Sequence, residues 1–348
     1  MGYILHYEQP ALFGFFTELN PNENPIVSMT FDAKPLHTVD EKIYGMTYHT
    51  NYQAASLADV NVKPDNSSPT YGSSTHTSGS NCVQVWDEGA AETFARLGDQ
   101  RLSRTLGYRN PSNNSVEPDA LPRAKAEALD KIKSNLEYVI REGTFTLPHA
   151  GTGAGTTGVW MQRGVRYADG LTVGTADGAV PGVGGGTEGT FGTLSYTVTM
   201  DTLQTMWDKK LWQNGQSLVA VCNSTVKRAL TTIFKDEFNF GENGQLVNVS
   251  GVNLMRFITD FGPVDIVLTH NFPGNDLYFF NMNYMEPIVR PVPGKPNGGL
   301  LWERPIAQVT AADAVSFYGE LGLNYQTGSA HGRIIGIGST VIGGQSVS

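Results

Sequence analysis

The sequence contains little charge and no excess of positive charge. Charged residues make up 16% of the 348 residues, well below the quarter or so that is usual in globular proteins. A low charge fraction leaves much neutral surface, which suits a protein whose flanks are covered by neighbouring molecules. The formal net charge of −9 gives no overall attraction for nucleic acid, so we expect at most weak contact with DNA.

Cysteines and long hydrophobic runs are also scarce. Cys82 and Cys222 are the two cysteines and form no CxxC pair, which argues against a disulfide scaffold or a cysteine zinc site and fits a reducing cytosol. No apolar run reaches the roughly 18 residues of a membrane span. The first ten residues lack the basic and apolar regions of a signal peptide. We therefore expect a soluble protein with no membrane partner.

Motifs for nucleotide binding and hydrolysis are absent as well. No Gly-Lys-Ser/Thr follows the glycine clusters at 151–155 and 182–186, and neither Gly-x-Ser-x-Gly nor His-Glu-x-x-His occurs. The histidines are scattered singly, without the i, i+4 spacing of helical zinc ligands: His6, His37, His49, His76, His149, His270 and His331. The sequence therefore predicts a protein that is not an enzyme, with no catalytic, cofactor-binding or metal-binding residues and no cofactor.

Glycine and proline are abundant, at 40 and 18 residues, and indicate many turns and loops. Residues 1–36 are interpreted as an amino-terminal arm, because the prolines at 10, 21, 25 and 35 argue against a continuous helix. Such an apolar arm lies either across a neighbour or on its own domain. Residues 37–90 are interpreted as an extended β-hairpin, with alternating strands on either side of a polar tip at 65–81.

Residues 118–142 give the clearest helical pattern. Asp119 is a candidate N-cap or first-turn acid, Gly143 is a candidate stop, and Pro122 falls within the first turn, where its missing N–H needs no partner. Lys133 and Glu137 are assigned to the polar side. The helix spans on the order of 35 Å, which suits a structural spine. Its apolar stripe consists of Leu121, Ala124, Ala128, Ile132, Leu136, Val139 and Ile140.

A glycine-rich connection at 144–192 precedes an α/β region. The spacing predicts a helix over 201–212, a buried strand over 217–222, and a second helix that Asn223 and Ser224 cap and that runs to 234. Strands are then expected over 245–259, 263–269, 276–290, 314–325 and 332–343. These elements together predict an α+β fold.

The order of motifs near the carboxyl terminus is the most informative pattern. An aromatic strand ends at Val289-Arg290-Pro291, a strand with Glu320-Leu321-Gly322-Leu323-Asn324 follows, and Ala330-His331-Gly332-Arg333-Ile334 comes last. With the arm, hairpin and long helix before it, this order resembles the major capsid proteins of tailed bacteriophages with the Hong Kong ninety-seven type of fold. Within that fold, the helix end at Leu136-Glu137 and the turn at Phe261-Gly262 are similar to those of one subfamily.

The resemblance implies a division of the chain. Residues 1–36 would be the amino-terminal arm and residues 37–90 the extended hairpin loop. Residues 91–192 would form the peripheral domain, with the spine helix at 118–142 and the glycine-rich connection. Residues 193–258 would form the axial α/β domain, and the closing strands at 259–348 would be shared between the two domains.

The resemblance also implies a function. It implies a structural subunit that self-assembles, as hexamers and pentamers, into an icosahedral phage head enclosing double-stranded DNA. Scaffold, portal and head-decoration proteins would be further partners, and the protein would be located in the virion after assembly in the host cytoplasm. Two alternatives stay open at this point: the shell of an encapsulin-like nanocompartment, and a carbohydrate-binding phage adhesin or tail protein.

Overall fold

A computed structural model describes residues 23–32, 34–49, 76–94, 120–147, 160–176, 182–183, 194–212, 216, 218–237, 245–249, 252–270, 274–306 and 311–337. The long helices are α1 (Ala120–Glu142), α2 (Tyr196–Asp208) and α3 (Ser224–Glu237), and a short helical segment spans Pro25–Val27 and Ser28–Asp32. The strands are β1 (His37–Thr38), β2 (Ile43–His49), β3 (His76–Cys82), β4 (Gln84–Thr93), β5 (Thr172–Thr175), β6 (Gly182–Val183), β7 (Leu218–Cys222), β8 (Gln245–Val249), β9 (Val252–Thr259), β10 (Gly262–Leu268), β11 (Leu277–Asn281), β12 (Glu286–Val289), β13 (Leu301–Pro305), β14 (Ala312–Asn324) and β15 (Gly332–Ile335).

A five-stranded sheet is built around β14. On one side of β14, β4 pairs antiparallel along ten residues, and on the other side β12 and then β13 pair with it. The short β1 adds to β12 in parallel. Helix α1 packs on this sheet, and its Ile132 and Leu136 share one hydrophobic core with Trp86 of β4 and Phe317 of β14. The predicted burial of Ile132 and Leu136 is confirmed.

The second sheet has eight strands in the order β6-β5-β15-β11-β7-β10-β9-β8. Every residue of its central strand β7 is buried, because successive side chains point to opposite faces and both faces are covered. Leu218 and Ala220 face a core that includes residues of α2 and α3, whereas Val219 and Val221 face the core that includes α1. The sheet therefore lies between α2 and α3 on one face and the long helix on the other.

Helix α1 spans Ala120–Glu142, close to the predicted 118–142; Asp119 lies outside the described residues. The assignment of Lys133 and Glu137 to its polar side was wrong, because both side chains are fully buried. They extend one buried stripe with Arg141 at steps of four residues. The buried face of α1 is thus wider than its apolar residues indicate, because a second segment of the chain covers this flank of the helix.

Two other helices differ from prediction at their ends. Helix α2 begins at Tyr196, earlier than the predicted 201, because the Ser195 hydroxyl accepts the N–H of Val198 at 3.2 Å and caps the first turn. Helix α3 begins as predicted, with the Asn223 side-chain oxygen accepting the N–H of Val226 at 2.9 Å. It continues to Glu237, past the predicted end at 234.

Several strands are shorter than predicted or were missed. The strand predicted over 245–259 is the hairpin β8–β9, and the one over 276–290 is divided between β11 and β12 by a 3₁₀ turn at Met282–Tyr284. The strands predicted over 263–269, 314–325 and 332–343 correspond to β10, β14 and β15, and residues 338–343 lie outside the described part. β13 was not predicted. The glycine-rich connection also contains β5 and β6, which join the eight-stranded sheet because β5 pairs in parallel with β15.

The predicted hairpin extends too far along the chain, because residues 37–90 include part of strand β4, which belongs to the five-stranded sheet. Seven of the ten residues of β4 fall within 37–90 and three lie beyond it, and all ten pair with β14 in the five-stranded sheet. The alternation of β4 indicates a strand but does not indicate its partner, which lies more than 200 residues away in sequence. The polar tip predicted at 65–81 also overlaps β3, and the rest of that tip lies outside the described residues.

The two cysteines are buried and free. Burial raises the pKa of the Cys82 thiol to about 11 and that of Cys222 to about 12, so both thiols stay protonated and unreactive near neutral pH. In the described part of the chain, no helix is long and apolar enough to cross a membrane.

Candidate assembly site

Strands β2 and β3 form a separate two-stranded hairpin. Its strands pair in antiparallel register from Ile43↔Cys82 to His49↔His76. Within the part of the chain that the structure describes, neither strand pairs with a strand of either sheet. An isolated two-stranded hairpin is marginally stable in water. At its root, Tyr44 packs against the core of its own subunit, whereas Ile43, with 41% of its surface exposed, is available for contact with a further surface.

The return strand of the hairpin is fastened at its root by Asn81, which is fully buried. The Asn81 side-chain oxygen accepts the N–H groups of Cys82 at 2.8 Å and of Arg163 at 2.7 Å. Its amide nitrogen donates to the Arg163 carbonyl at 3.2 Å, and the Cys82 thiol donates to the Met161 carbonyl at 3.1 Å. Because Asn81 and Cys82 are fully buried, breaking the contacts would leave their polar groups unsatisfied, and the root of β3 is held against residues 161–163.

Two further exposed apolar side chains lie at one end of the five-stranded sheet. Phe94 follows β4 and Ile306 follows β13, and these strands flank β14 on opposite sides. The Phe94 N–H donates to the Ala311 carbonyl and the Ile306 N–H to the Ala314 carbonyl, so both residues lie beside the start of β14. Phe94 is 44% exposed and Ile306 is 42% exposed. Because Ala311 and Ala314 lie on opposite faces of the sheet, the two side chains do not form one patch, and single exposed apolar side chains are ordinary at a protein surface.

The buried helical segment near the amino terminus is held by Glu137 of α1. The Glu137 carboxylate accepts the Val27 N–H at 2.9 Å and the Ile26 N–H at 3.4 Å. The first N–H groups of a helix have no partner within it, so the carboxylate supplies one. Burial raises the pKa of Glu137, and the neighbouring Arg141 opposes that change, as do the two backbone hydrogen bonds and Lys133. Part of the predicted amino-terminal arm therefore packs on its own subunit.

The two sheets are joined by a chain of buried polar side chains. Glu142, at the end of α1, accepts hydrogen bonds from Arg166 at 2.6 Å and from the Tyr278 hydroxyl at 2.6 Å. Burial raises the pKa of Tyr278 well above its ordinary value, so its hydroxyl remains a donor. Arg333 of β15 lies over the Tyr278 ring and forms an ion pair with Asp276. These contacts fix the end of α1 to the eight-stranded sheet.

His331 forms a second connection between the sheets and is fully buried. Its Nδ1 accepts the N–H of Asn281, at the end of β11, at 3.3 Å. With Nδ1 as an acceptor, Nε2 must carry the proton, and it donates to the carbonyl of Tyr325, just after β14, at 3.2 Å. A second proton on Nδ1 would face a donor instead of an acceptor. The geometry therefore requires a neutral imidazole, and burial lowers the pKa of His331 to about 4.

A comparison with protein families decides the identity of the chain. The SU10 major capsid protein family matches residues 2–338, which is nearly the whole sequence. The chain belongs to the SU10 major capsid protein family. No match was found among curated proteins.

The solved capsid structure of cyanophage A-1(L) shares the fold of this capsid protein, and two further solved structures are more distantly similar. The capsid subunit of cyanophage A-1(L) is 10% identical, with a TM-score of 0.52 over 91% of this chain and 93% of that one. The capsid of Myoviridae phage XM1 is 12% identical, with a TM-score of 0.46 and coverage of 87% and 90%. The SrpI encapsulin of Synechococcus elongatus is 13% identical, with a TM-score of 0.48 and coverage of 90% of each chain. The predicted α+β capsid fold of the Hong Kong ninety-seven type is confirmed.

The capsid protein is thus a structural protein of the bacteriophage virion that assembles with copies of itself into a shell. The family match favours this predicted function over a carbohydrate-binding adhesin. Among the described residues, no group of three or more His, Cys, Asp or Glu side chains is placed to hold a metal ion. The sequence predicted no catalytic, cofactor-binding or metal-binding residues, and that remains a prediction.

Four residues that hold distant segments of the capsid protein together were not predicted from the sequence. These residues are Asn81, Glu137, Glu142 and His331. The four-residue steps from Lys133 to Glu137 to Arg141 were visible, but they equally suit a solvated helix face. Asn81 and His331 give no local signal, because the contacts that fasten distant segments reach residues 82 and 50 positions away.

We expect the capsid protein to lose stability in acid through His331. Its folded pKa of about 4 lies below the ordinary 6.5, so the unfolded chain binds more protons between these values. The stabilisation is present above pH 6.5 and is lost as the pH falls towards 4, by about 3 kcal/mol in all. The neighbouring Lys34 adds repulsion against a protonated ring. Urea unfolding of unassembled subunits at pH 7 and pH 5 measures this loss, and a His331→Gln variant with an equally steep pH dependence would contradict it.

Proposed function

We propose that this capsid protein is the repeating subunit of an icosahedral head, built of hexamers and pentamers, that encloses double-stranded DNA. The observation that carries the proposal is the hairpin β2–β3, which pairs with neither sheet of its own subunit in the described part of the chain. A shell subunit needs a surface that is completed only by a neighbour. A projecting hairpin of seven paired residues per strand meets that need.

Each sheet would form one of the two domains that the sequence resemblance implied, although β5 and β6, within the implied peripheral residues 91–192, belong to the eight-stranded sheet. We assign the five-stranded sheet with α1 to the peripheral domain, and the eight-stranded sheet with α2 and α3 to the axial domain. The polar chain from Arg166 through Glu142 to Tyr278 then sets the angle between them. A fixed angle favours shell formation, because identical copies close into a shell only if each presents its contacts in the same orientation.

The remaining partners follow from the charge of the chain and from its role as a container. A net charge of −9 supports weak contact with packaged DNA, since a container need not bind its contents tightly. Scaffold, portal and head-decoration proteins are the further partners that we propose, with assembly in the host cytoplasm. We also propose that the subunit has no enzymatic activity.

Shortening the hairpin is expected to block assembly without unfolding the subunit. We would replace residues 50–75 with a short Asn-Gly turn, which leaves both paired strands in place. Because the strands lie outside both sheets, cooperative thermal unfolding of the subunit should persist, whereas sedimentation and electron microscopy should show few particles. As a matched control, Gly294 lies in an exposed turn with open space around its α-carbon, and insertion of two glycines there should leave the particle yield unchanged.

The outcomes separate the competing functions. Normal particle yield from the shortened hairpin would contradict the assigned role of the hairpin. Wild-type subunits that stay at 37.7 kDa, with or without lysate partners, would contradict self-assembly. Nuclease digestion of material extracted from wild-type particles identifies the contents. Double-stranded DNA supports a phage head, whereas packaged protein without DNA would favour a nanocompartment.

A further inference from the structure

Glu320 is a buried carboxylate at an irregular point of the five-stranded sheet. It lies on β14, where the neighbouring strand changes: Leu321 pairs with Val289 of β12, and Gly319 pairs with Leu301 of β13. Only 3% of Glu320 is exposed. A carboxylate removed from water to this extent requires compensating charges and hydrogen bonds.

Three side chains provide that compensation. The Glu320 Oε2 atom accepts a hydrogen bond from Arg290 at 2.7 Å. The Oε1 atom accepts a hydrogen bond from the Tyr318 hydroxyl at 3.1 Å and lies 3.3 Å from the Lys42 ammonium. Lys42 and Arg290 keep side-chain exposures of 26% and 30%, so the cations reach Glu320 from the surface. We call these four residues the Glu320 cluster.

The cluster holds the segment of chain that leads into the hairpin. Lys42 immediately precedes β2, and its carbonyl accepts the N–H of Val83, just after β3. Arg290 also donates through Nε to the carbonyl of Asp40 at 2.9 Å. Glu320 therefore binds residues 40–42 twice, directly through Lys42 and indirectly through Arg290. The Lys42 ammonium also lies 5.3 Å from the centre of the Trp160 ring, beside the segment that holds Asn81.

We propose that Glu320 is a positioning residue, which sets the direction in which the hairpin projects from the subunit. This inference rests on the proposed function, in which the hairpin contacts a neighbour. The two strands of the hairpin leave the sheet side by side. Asn81 holds the root of the return strand by neutral hydrogen bonds, and Glu320 holds the root of the outgoing strand by charge. Two separate attachments are needed to fix an angle, because a single one leaves rotation free.

A small tilt at the root of the hairpin produces a larger displacement at its far end. Seven residues of antiparallel strand extend for roughly 23 Å, so a tilt of about 10° at the root moves the far end by about 4 Å. A displacement of that size is comparable to the separation of neighbouring strands. It would take the hairpin out of register with its contact surface on the next subunit. Tyr44, whose hydroxyl donates to the Leu323 carbonyl at 3.3 Å, limits the motion further along the strand but carries no charge.

The test measures the hairpin direction in unassembled, full-length subunits. Spin labels would be attached at His49→Cys, at the far end of the paired strands, and at Asn135→Cys, an exposed site on α1. The native thiols are buried and are not expected to react. Pulsed electron paramagnetic resonance then gives the distribution of the distance between the two labels. Glu320→Gln is the test substitution, since glutamine has the same shape without the charge.

The matched control is Glu303→Gln, which removes another carboxylate of the same sheet. Glu303 pairs with Lys125 of α1 at 2.9 Å, away from the hairpin root. We expect a narrow distance distribution in the parent and in Glu303→Gln, and one about twofold broader in Glu320→Gln. Particle yield should fall about tenfold or more in Glu320→Gln only, because hydrogen bonds to a charged group are among the strongest in proteins. A purely structural role would lower the melting temperature without broadening the distribution in folded subunits.

An unchanged distance distribution in folded Glu320→Gln subunits would overturn the proposal. If that variant does not fold, Lys42→Met provides the same test, since it removes one link to the hairpin and leaves the buried pair of Glu320 and Arg290 in place. A distribution as narrow as that of the parent would again overturn the proposal. The distance measurement does not depend on assembly, so failure of wild-type subunits to form particles would contradict the proposed function separately.

Discussion

Replacing Leu136 with alanine is expected to destabilise the subunit by about 2–5 kcal/mol, the range for removing a fully buried leucine from a core that cannot collapse. Leu136 has no exposed surface and packs in the core that joins α1 to the five-stranded sheet. The free energy of unfolding of unassembled subunits, from urea denaturation, measures the effect. The neighbouring Asn135, which is exposed, provides the control, and Asn135→Ala should change stability little.

Particle formation should be lost together with that stability. Helix α1 carries both the core contacts and, at Glu142, the connection to the eight-stranded sheet, so weakening it changes how the two sheets are held. Ser134→Pro gives an independent test, because proline in the middle of a helix costs about 3 kcal/mol or more without removing a core side chain. Normal particles from Ser134→Pro subunits would show that residues 120–142 do not act as one continuous helix.

Glu137→Ala is expected to destabilise the subunit by about 3–5 kcal/mol, as is usual when one partner of a buried charge group is removed. The substitution leaves the N–H groups of Ile26 and Val27 without their acceptor. It also leaves Lys133 and Arg141, both fully buried, without the neighbouring negative charge. This reverses the expectation from sequence, in which Glu137 lay on the polar side of the helix and mattered little for folding.

Two measurements check the Glu137 prediction. Urea denaturation gives the loss of stability, and limited proteolysis followed by mass spectrometry shows whether the segment at residues 24–32 becomes accessible. Glu127→Ala is the matched control, because Glu127 is an exposed carboxylate on the same helix that pairs with Arg123 at the surface, where such pairs contribute little. A Glu137→Ala subunit as stable and as protease-resistant as the control would contradict the assigned role of the carboxylate.

Local patterns predicted helix α1 and the strand at β7 well. Helix α1 was placed within two residues of its observed start, because its apolar stripe repeats with the period of a helix over about five turns. The uninterrupted apolar run at 218–222 predicted a buried strand, which needs cover on both faces. The partners of the strands were not predictable in this way. Strand β4 alternates as well as β2 does, yet it belongs to a different sheet, and alternation is the same whichever strand lies alongside.

The candidate assembly site was predicted only in outline. The sequence indicated that residues 37–90 contain a hairpin, but not that the hairpin ends at Cys82, nor that Asn81 and Glu320 hold its root. Glu320 drew notice only as part of a motif shared with capsid proteins. Its partners Lys42 and Arg290 are 278 and 30 residues away, and a carboxylate in a strand is usually exposed. No local pattern distinguishes a buried carboxylate with distant partners from a solvated one.

The sequence by itself determined the class of fold, the long helix, the buried strands and, through the order of its motifs, the capsid family. These properties depend on the spacing of side chains along one segment, which a single chain displays directly. Only the tertiary structure decided which strands pair, that the amino-terminal segment lies on its own subunit, and that Glu137, Glu142, Glu320 and His331 are buried with partners. Those outcomes depend on segments far apart in sequence meeting in space, where the requirement to satisfy buried polar groups selects one arrangement.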